Sequence, residues 1–183
     1  MCSSDLVRAL HPPAGAFPRA APDNESSLVL SLEFAGRRIL LTGDLEGQAL
    51  AAFAAGRPER CDVLVAPHHG SRTSLPADIA AATRPSCVVA SGAGGPWWPE
   101  VRGAYAAAAG GAEVLLTGGA GALAVDLTAS AVTVSRYARG AWRECFAQAD
   151  DAAGRVSIHP ATSSTSWEAT NVPSSMSTPD VKP

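Results

Sequence analysis

The sequence predicts an α/β domain in which a mixed sheet is flanked by helices. Three observations carry this. The apolar run at residues 61–66 stops at Pro67, and a run of that length bounded by a break is a buried strand rather than a helix. Similar runs at 39–42 and 87–91 are separated from it by segments with helical spacing, the order that builds parallel strands. Upstream, Leu28, Leu30 and Leu32 alternate with Val29, Ser31 and Glu33, as in a strand with one strongly apolar face.

Composition bounds the possibilities. With 183 residues, 46% hydrophobic and 17% charged, the chain can bury a core, and one domain plus a tail is the natural count. A net charge of −3 offers no general basic field, so affinity for nucleic acid would need a local patch. Cys2, Cys61, Cys87 and Cys145 form no C-x-x-C pair and suit buried free thiols better than a disulfide framework. No apolar run approaches the roughly 18–20 residues of a membrane span, and the first residues lack the pattern of a signal peptide, so the chain reads as soluble as written.

Taken in order, residues 1–22 are an irregular segment, broken by Pro12, Pro13, Pro18 and Pro22, with His11 as a solvated loop residue. Turn-forming residues at 23–26 lead into the Leu28 strand. A turn at 34–38 returns the chain through Ile39-Leu40-Leu41 to Thr42-Gly43-Asp44, with Arg37 and Arg38 expected in a solvated turn. Leu45, Ala49, Ala52 and Phe53 have helical spacing, and Gly56 stands at the stop. The strand at 61–66 ends in Pro67-His68-His69-Gly70-Ser71. A short helix is expected from Pro76, a buried strand at 87–91, an irregular Gly/Pro loop at 92–99 and a helix over about 100–109. Residues 114–116, 122–127 and 131–135 read as strands of a terminal meander. The domain is therefore placed at 23–143, with a disordered Ser/Thr/Pro-rich tail over 144–183.

Two strand ends, one delivering Asp44 and the other His68 and His69, invite a metal. Zinc or manganese accepts imidazole nitrogen and carboxylate oxygen, and a catalytic site needs about three protein ligands. Asp62, Asp78 and Asp126 are better read as solvated or capping residues. The competing view makes 67–71 a tight loop whose histidine hydrogen-bonds Asp44 without any metal. Trp97 and Trp98 offer faces for stacking a nucleic-acid base. Packing of their loop onto the sheet is the commoner use of such residues.

The succession Asn24-Glu25-Ser26-Ser27-Leu28-Val29-Leu30, Gly36-Arg37-Arg38-Ile39-Leu40-Leu41-Thr42-Gly43-Asp44 and Asp62-Val63-Leu64-Val65-Ala66-Pro67-His68-His69-Gly70-Ser71-Arg72-Thr73-Ser74 resembles the C-terminal metallo-β-lactamase-like domain of the ComEC family of competence proteins. The resemblance runs from about Asp23 to Val134. It implies a four-layered αβ/βα sandwich, of which this chain would supply the C-terminal half. It also implies a metal-dependent phosphodiesterase or nuclease-like hydrolase of the DNA-uptake (transformation) type, joined to a bacterial inner-membrane channel that imports single-stranded DNA. By the same resemblance Asp44 is the carboxylate between two metals, zinc or manganese, and His68 and His69 are the catalytic and metal-binding pair. Asn24, Gly70, Ser71 and Thr73 then belong to the active-site loops. The family's upstream His-x-His-x-Asp-His segment does not occur in these residues, and Pro96-Trp97-Trp98-Pro99 stands where the family commonly has Gly-His-Pro. The expectation is a fragment without hydrolysis of its own, partnered by the missing half domain or a channel domain. The alternative is a non-catalytic interaction module or a degenerate remnant of the domain.

Overall fold

A computed structural model describes residues 6–13, 23–150 and 156–160, the side chains of residue 150 and of 156–160 excepted. The fold is mixed α/β. Six strands form one sheet in the order β1 (Leu6–His11), β2 (Val29–Phe34), β3 (Arg37–Leu41), β4 (Val63–Val65), β5 (Cys87–Ala90) and β6 (Glu113–Leu116). The first two junctions are antiparallel and β3 through β6 are parallel. Helices α1 (Gly47–Ala55), α2 (Pro76–Thr83) and α3 (Trp98–Ala108) make the crossovers. With four parallel strands in sequential order, crossovers of the usual single hand leave all three helices on one face, and they share one core.

That face is the main core. Leu50 and Ala54 of α1, Ile79 and Ala80 of α2, and Val101 and Tyr105 of α3 pack on Val29, Leu40, Leu64, Val88 and Val114. A one-turn helix, α4 (Thr117–Ala120), then leads into a second, antiparallel sheet of β7 (Leu123–Leu127), β8 (Ala131–Ala138), β9 (Ala141–Asp150) and β10 (Val156–Pro160). Val132, Val134 and Phe146 of this sheet pack on Val63, Cys87 and Val89. The order is thus helices, mixed sheet, second sheet. Strands buried on both faces read as continuous apolar runs, as 61–66 and 87–91 do. No helix among the described residues is long and apolar enough to cross a membrane.

Several boundaries move relative to the sequence reading. The segment taken as irregular up to residue 22 contains β1, whose alternation is hidden because Arg8 sits between Leu6 and Leu10 on one face. The tail placed from 144 begins too early. Strand β9 crosses that point, with Phe146 and Gln148 buried, because β8 and the first sheet supply the cover that its own composition lacks. Helix α3 starts at Trp98, with Pro99 in its first turn, so the glycine-proline loop is shorter than expected. Arg37 and Arg38 lie inside β3 rather than in a solvated turn. Arg37 is 7% exposed and pairs with Asp62 at 3.5 Å, while Arg38 binds Glu33 and Glu59. Expectations for 1–5, 14–22, 151–155 and 161–183 lie outside the described residues.

Cys61, Cys87 and Cys145 are free thiols. Burial pushes Cys61 up to about 12 and raises Cys87 and Cys145 as well. Thiols held protonated in this way serve as small hydrophobes.

Candidate functional site

Strands β3 and β4 are parallel neighbours in the register Leu41↔Val65, so the loops that follow them leave the same edge of the sheet. The Thr42 hydroxyl donates to Val65 O at 2.6 Å, and His68 N–H donates to Gly43 O at 3.0 Å. These two bonds bind the Asp44 loop to the histidine loop. The double-histidine turn itself is unusual: His68 (φ 46°), His69 (φ 58°) and Gly70 (φ 75°) are left-handed in succession. Non-glycine residues in that region each cost of the order of 1–2 kcal/mol, and they persist only where the surroundings over-determine them.

The left-handed turn sends the two imidazoles to different acids. His69 Nε2 lies 3.4 Å from Asp44 Oδ1. His68 Nδ1 lies 2.8 Å from Glu46 Oε2. A carboxylate only accepts, so His68 carries a proton on Nδ1 and leaves Nε2 for another partner. Glu46 is the residue the sequence reading missed. It stands just before α1 and, instead of capping that helix, gathers Asn24 Nδ2 at 2.7 Å, His68, and the Thr73 hydroxyl at 3.4 Å. Asn24 sits on a 3-10 turn at Asp23–Ser26, and the neighbouring Glu25 accepts from Gln48 N at 3.3 Å, which closes the start of α1. Ser71 and Thr73 exchange a hydrogen bond at 3.0 Å beside this cluster. A carboxylate two residues after Asp44, in the same strand-end loop, was the available signal.

The Asn24 amide first, and His68 second, hold the Glu46 carboxyl below its ordinary value of 4.5. A carboxyl whose folded pKa lies below its unfolded one stabilises the fold above the unfolded value, and this contribution fades as pH falls through the folded value. Glu46→Gln should therefore be the less stable protein near neutrality and lose its disadvantage as pH falls from neutrality to below the ordinary value of 4.5. Urea midpoints of both proteins across that range check this. A constant gap between the two curves would contradict it.

Gly70 carries the other side of the loop. A Cβ there would meet Trp98 Cζ3 at 2.9 Å and Ala90 Cβ at 3.2 Å, so the indole lies on the glycine. Trp97 and Trp98 are half-buried, 6.5 Å apart edge to face, and both pack on the helical core. The Trp98 ring walls the back of the histidine loop, and Trp97 lies against Gly95.

Zinc bonds of about 2.0–2.1 Å at a tetrahedral angle set neighbouring ligand atoms about 3.3 Å apart. The Asp44–His69 separation matches one edge of such a polyhedron. Among the described residues, however, no three His, Cys, Asp or Glu side chains gather so as to hold a metal ion. His68 is committed to Glu46, while Asp62, Asp78 and Asp126 lie on β4's leading turn, α2 and β7. One distance that would suit a pair of ligands is all these residues offer, and they do not by themselves fit a resident metal. Asp44 and His69 are also exposed, at 46% and 60%, and an ion pair so exposed adds little stability. No family model matches the chain, and no curated protein matches it.

Proposed function

We propose that this chain supplies one part of a metal-dependent phosphodiesterase or nuclease-like site of the competence DNA-uptake type, and that alone it does not hydrolyse. The observation that carries this is the meeting of Asp44 and His69 at adjacent parallel strand ends, with donor atoms spaced as ligands of one ion would be. The α/β/β layering, with helices on one face of the mixed sheet and a second sheet on the other, is compatible with half of an αβ/βα sandwich. Within this reading Asp44 and His69 act as ligands completed by residues from another segment or chain. His68, oriented through Nδ1 by Glu46, keeps Nε2 for a single-stranded DNA or other phosphodiester.

Calorimetric titration of the purified chain with Zn²⁺ and Mn²⁺ tests the assignment. The expected result is weak binding that Asp44→Ala and His69→Ala each reduce by at least tenfold, and no hydrolysis of bis-p-nitrophenyl phosphate. Metal uptake indifferent to both substitutions would remove these residues from the reading. A second reading, a non-catalytic interaction module, is favoured by the bonds that already occupy Glu46 and His68. It would leave the chain without metal affinity in either variant or wild type.

A further inference from the structure

The hairpin that joins β8 to β9 carries a local basic patch in a chain whose formal charge is −3. Residues 127–143 hold Arg136, Arg139 and Arg143 and no acid. Arg136 and Arg143 are direct cross-strand partners, and so are the next pair toward the turn, Tyr137 and Trp142. Side chains alternate across a pleated ladder, so the two rings share one face, the two guanidiniums take the other, and Arg139 stands at the turn between them. The hairpin tip also stands clear of the flanking strands among the described residues. Strand β7 begins at Leu123, opposite Arg136, and the pairing of β10 with β9 ends at Phe146.

Neither cross-strand pair is explained by packing. The rings meet edge to face with centroids 5.3 Å apart, yet Tyr137 remains 46% and Trp142 53% exposed. Like charges directly opposite each other weaken a ladder, and here no carboxylate offsets them. The ion pairs of arginine among the described residues engage Arg8, Arg37, Arg38 and Arg102, and none reaches Arg136, Arg139 or Arg143. An exposed aromatic pair and an uncompensated cluster of cations thus occupy eight consecutive residues.

We propose that this hairpin tip binds single-stranded nucleic acid, with a base stacked on Tyr137 and Trp142 and the flanking phosphates on Arg136, Arg139 and Arg143. Aromatic faces accept any base, and guanidiniums accept phosphate without regard to sequence. A single strand can bend around the tip, from the aromatic face past Arg139 to the face that carries Arg136 and Arg143. A duplex is too stiff for that bend and keeps its base faces stacked inside the helix. An anionic membrane also attracts aromatic and basic side chains together. An inserting tip leads with apolar residues, however, and this one leads with Arg139 and Gly140. The assignment draws nothing from the metal reading, since it uses no residue of the strand-end loops.

Anisotropy titration of the full chain with a short labelled oligothymidylate, in EDTA and over a range of salt, tests this. Binding is expected at low salt. Trp142→Ala should weaken it by roughly fivefold to 150-fold, the value of one stacked base, and leave the salt dependence unchanged. Arg139→Gly, at an exposed turn position whose left-handed backbone suits glycine, should make the fall of log K with log salt shallower by about 0.7, one phosphate on a single strand. Arg60→Ala removes an exposed arginine elsewhere on the surface and should alter neither quantity. The proposal is overturned if the oligomer does not bind at low salt, if Trp142→Ala and Arg139→Gly both bind as the parent does, or if Arg60→Ala loses as much as Arg139→Gly. A duplex of the same length bound as tightly as the single strand would also overturn it. So would anionic lipid vesicles bound with the same loss in Trp142→Ala, in that case in favour of a membrane surface.

Discussion

Phe146→Ala is expected to lose about 3–5 kcal/mol of stability, the range for truncating a fully buried aromatic side chain. Phe146 is 1% exposed and lies directly across from Val134 in the antiparallel β8–β9 pair. From there it reaches the cluster that joins the two sheets, with Val63, Cys87 and Val89 below it and Val132 and Val134 beside it. It is the one aromatic among the buried residues of that cluster, so its removal opens a cavity that valines and a cysteine are too small and too constrained by their strands to close. The size of the loss has a structural meaning. If β9 were the start of an unpacked tail, the same substitution would fall within about 0.5 kcal/mol of zero, as surface changes do. Urea denaturation with an unchanged m-value decides between them, and a loss under about 1 kcal/mol would detach the second sheet from the cooperative unit.

What the sequence made legible follows from which partners each segment needs. Ile39-Leu40-Leu41, Val63-Leu64-Val65 and Cys87-Val88-Val89 are covered on both faces, so their apolar character is continuous and visible in the chain itself. Helices α1 and α2 are bounded by residues with local meaning, Gly56 at one end and Pro76 at the other. Strands β1 and β9 are different. Each has one large apolar contact or two among polar neighbours, and their pairing depends on β2 and β8, which local pattern cannot express. At the site, strand-end placement put Asp44 beside His69, while His68 went to Glu46 instead. Local sequence could not say that adjacent histidines would diverge, because that depends on left-handed backbone at both. For the same reason Glu46, an ordinary acid before a helix, became the hub of the cluster only once Asn24, His68 and Thr73 had been folded onto it.

Gly70→Ala is expected to cost about 2–5 kcal/mol, from two sources that can be separated. The backbone at φ 75° is left-handed, which penalises a side chain by about 1–2 kcal/mol. The added methyl would also stand 2.9 Å from the Trp98 ring and 3.2 Å from Ala90 Cβ, and forcing atoms into a packed site costs about 1–3 kcal/mol. Ala90 is on a buried central strand and has no room to move; Trp98 opens α3 and is half-buried, so the indole is the part that yields. Trp98→Leu, which shortens the ring, should therefore recover the steric share in the double variant and leave the backbone share intact. A double-mutant cycle in urea measures this as a coupling energy of about 1 kcal/mol or more between contacting positions. Additive effects would mean that the ring does not rest on the glycine. The histidine ring resonances supply a second readout, since the turn that Gly70 ends is the one that aims His68 at Glu46 and His69 at Asp44. If the indole wall is what keeps three consecutive residues left-handed, both imidazoles should shift in Gly70→Ala and return toward their original positions in the double variant. Trp98 would then serve the candidate site by holding the loop rather than by meeting a ligand.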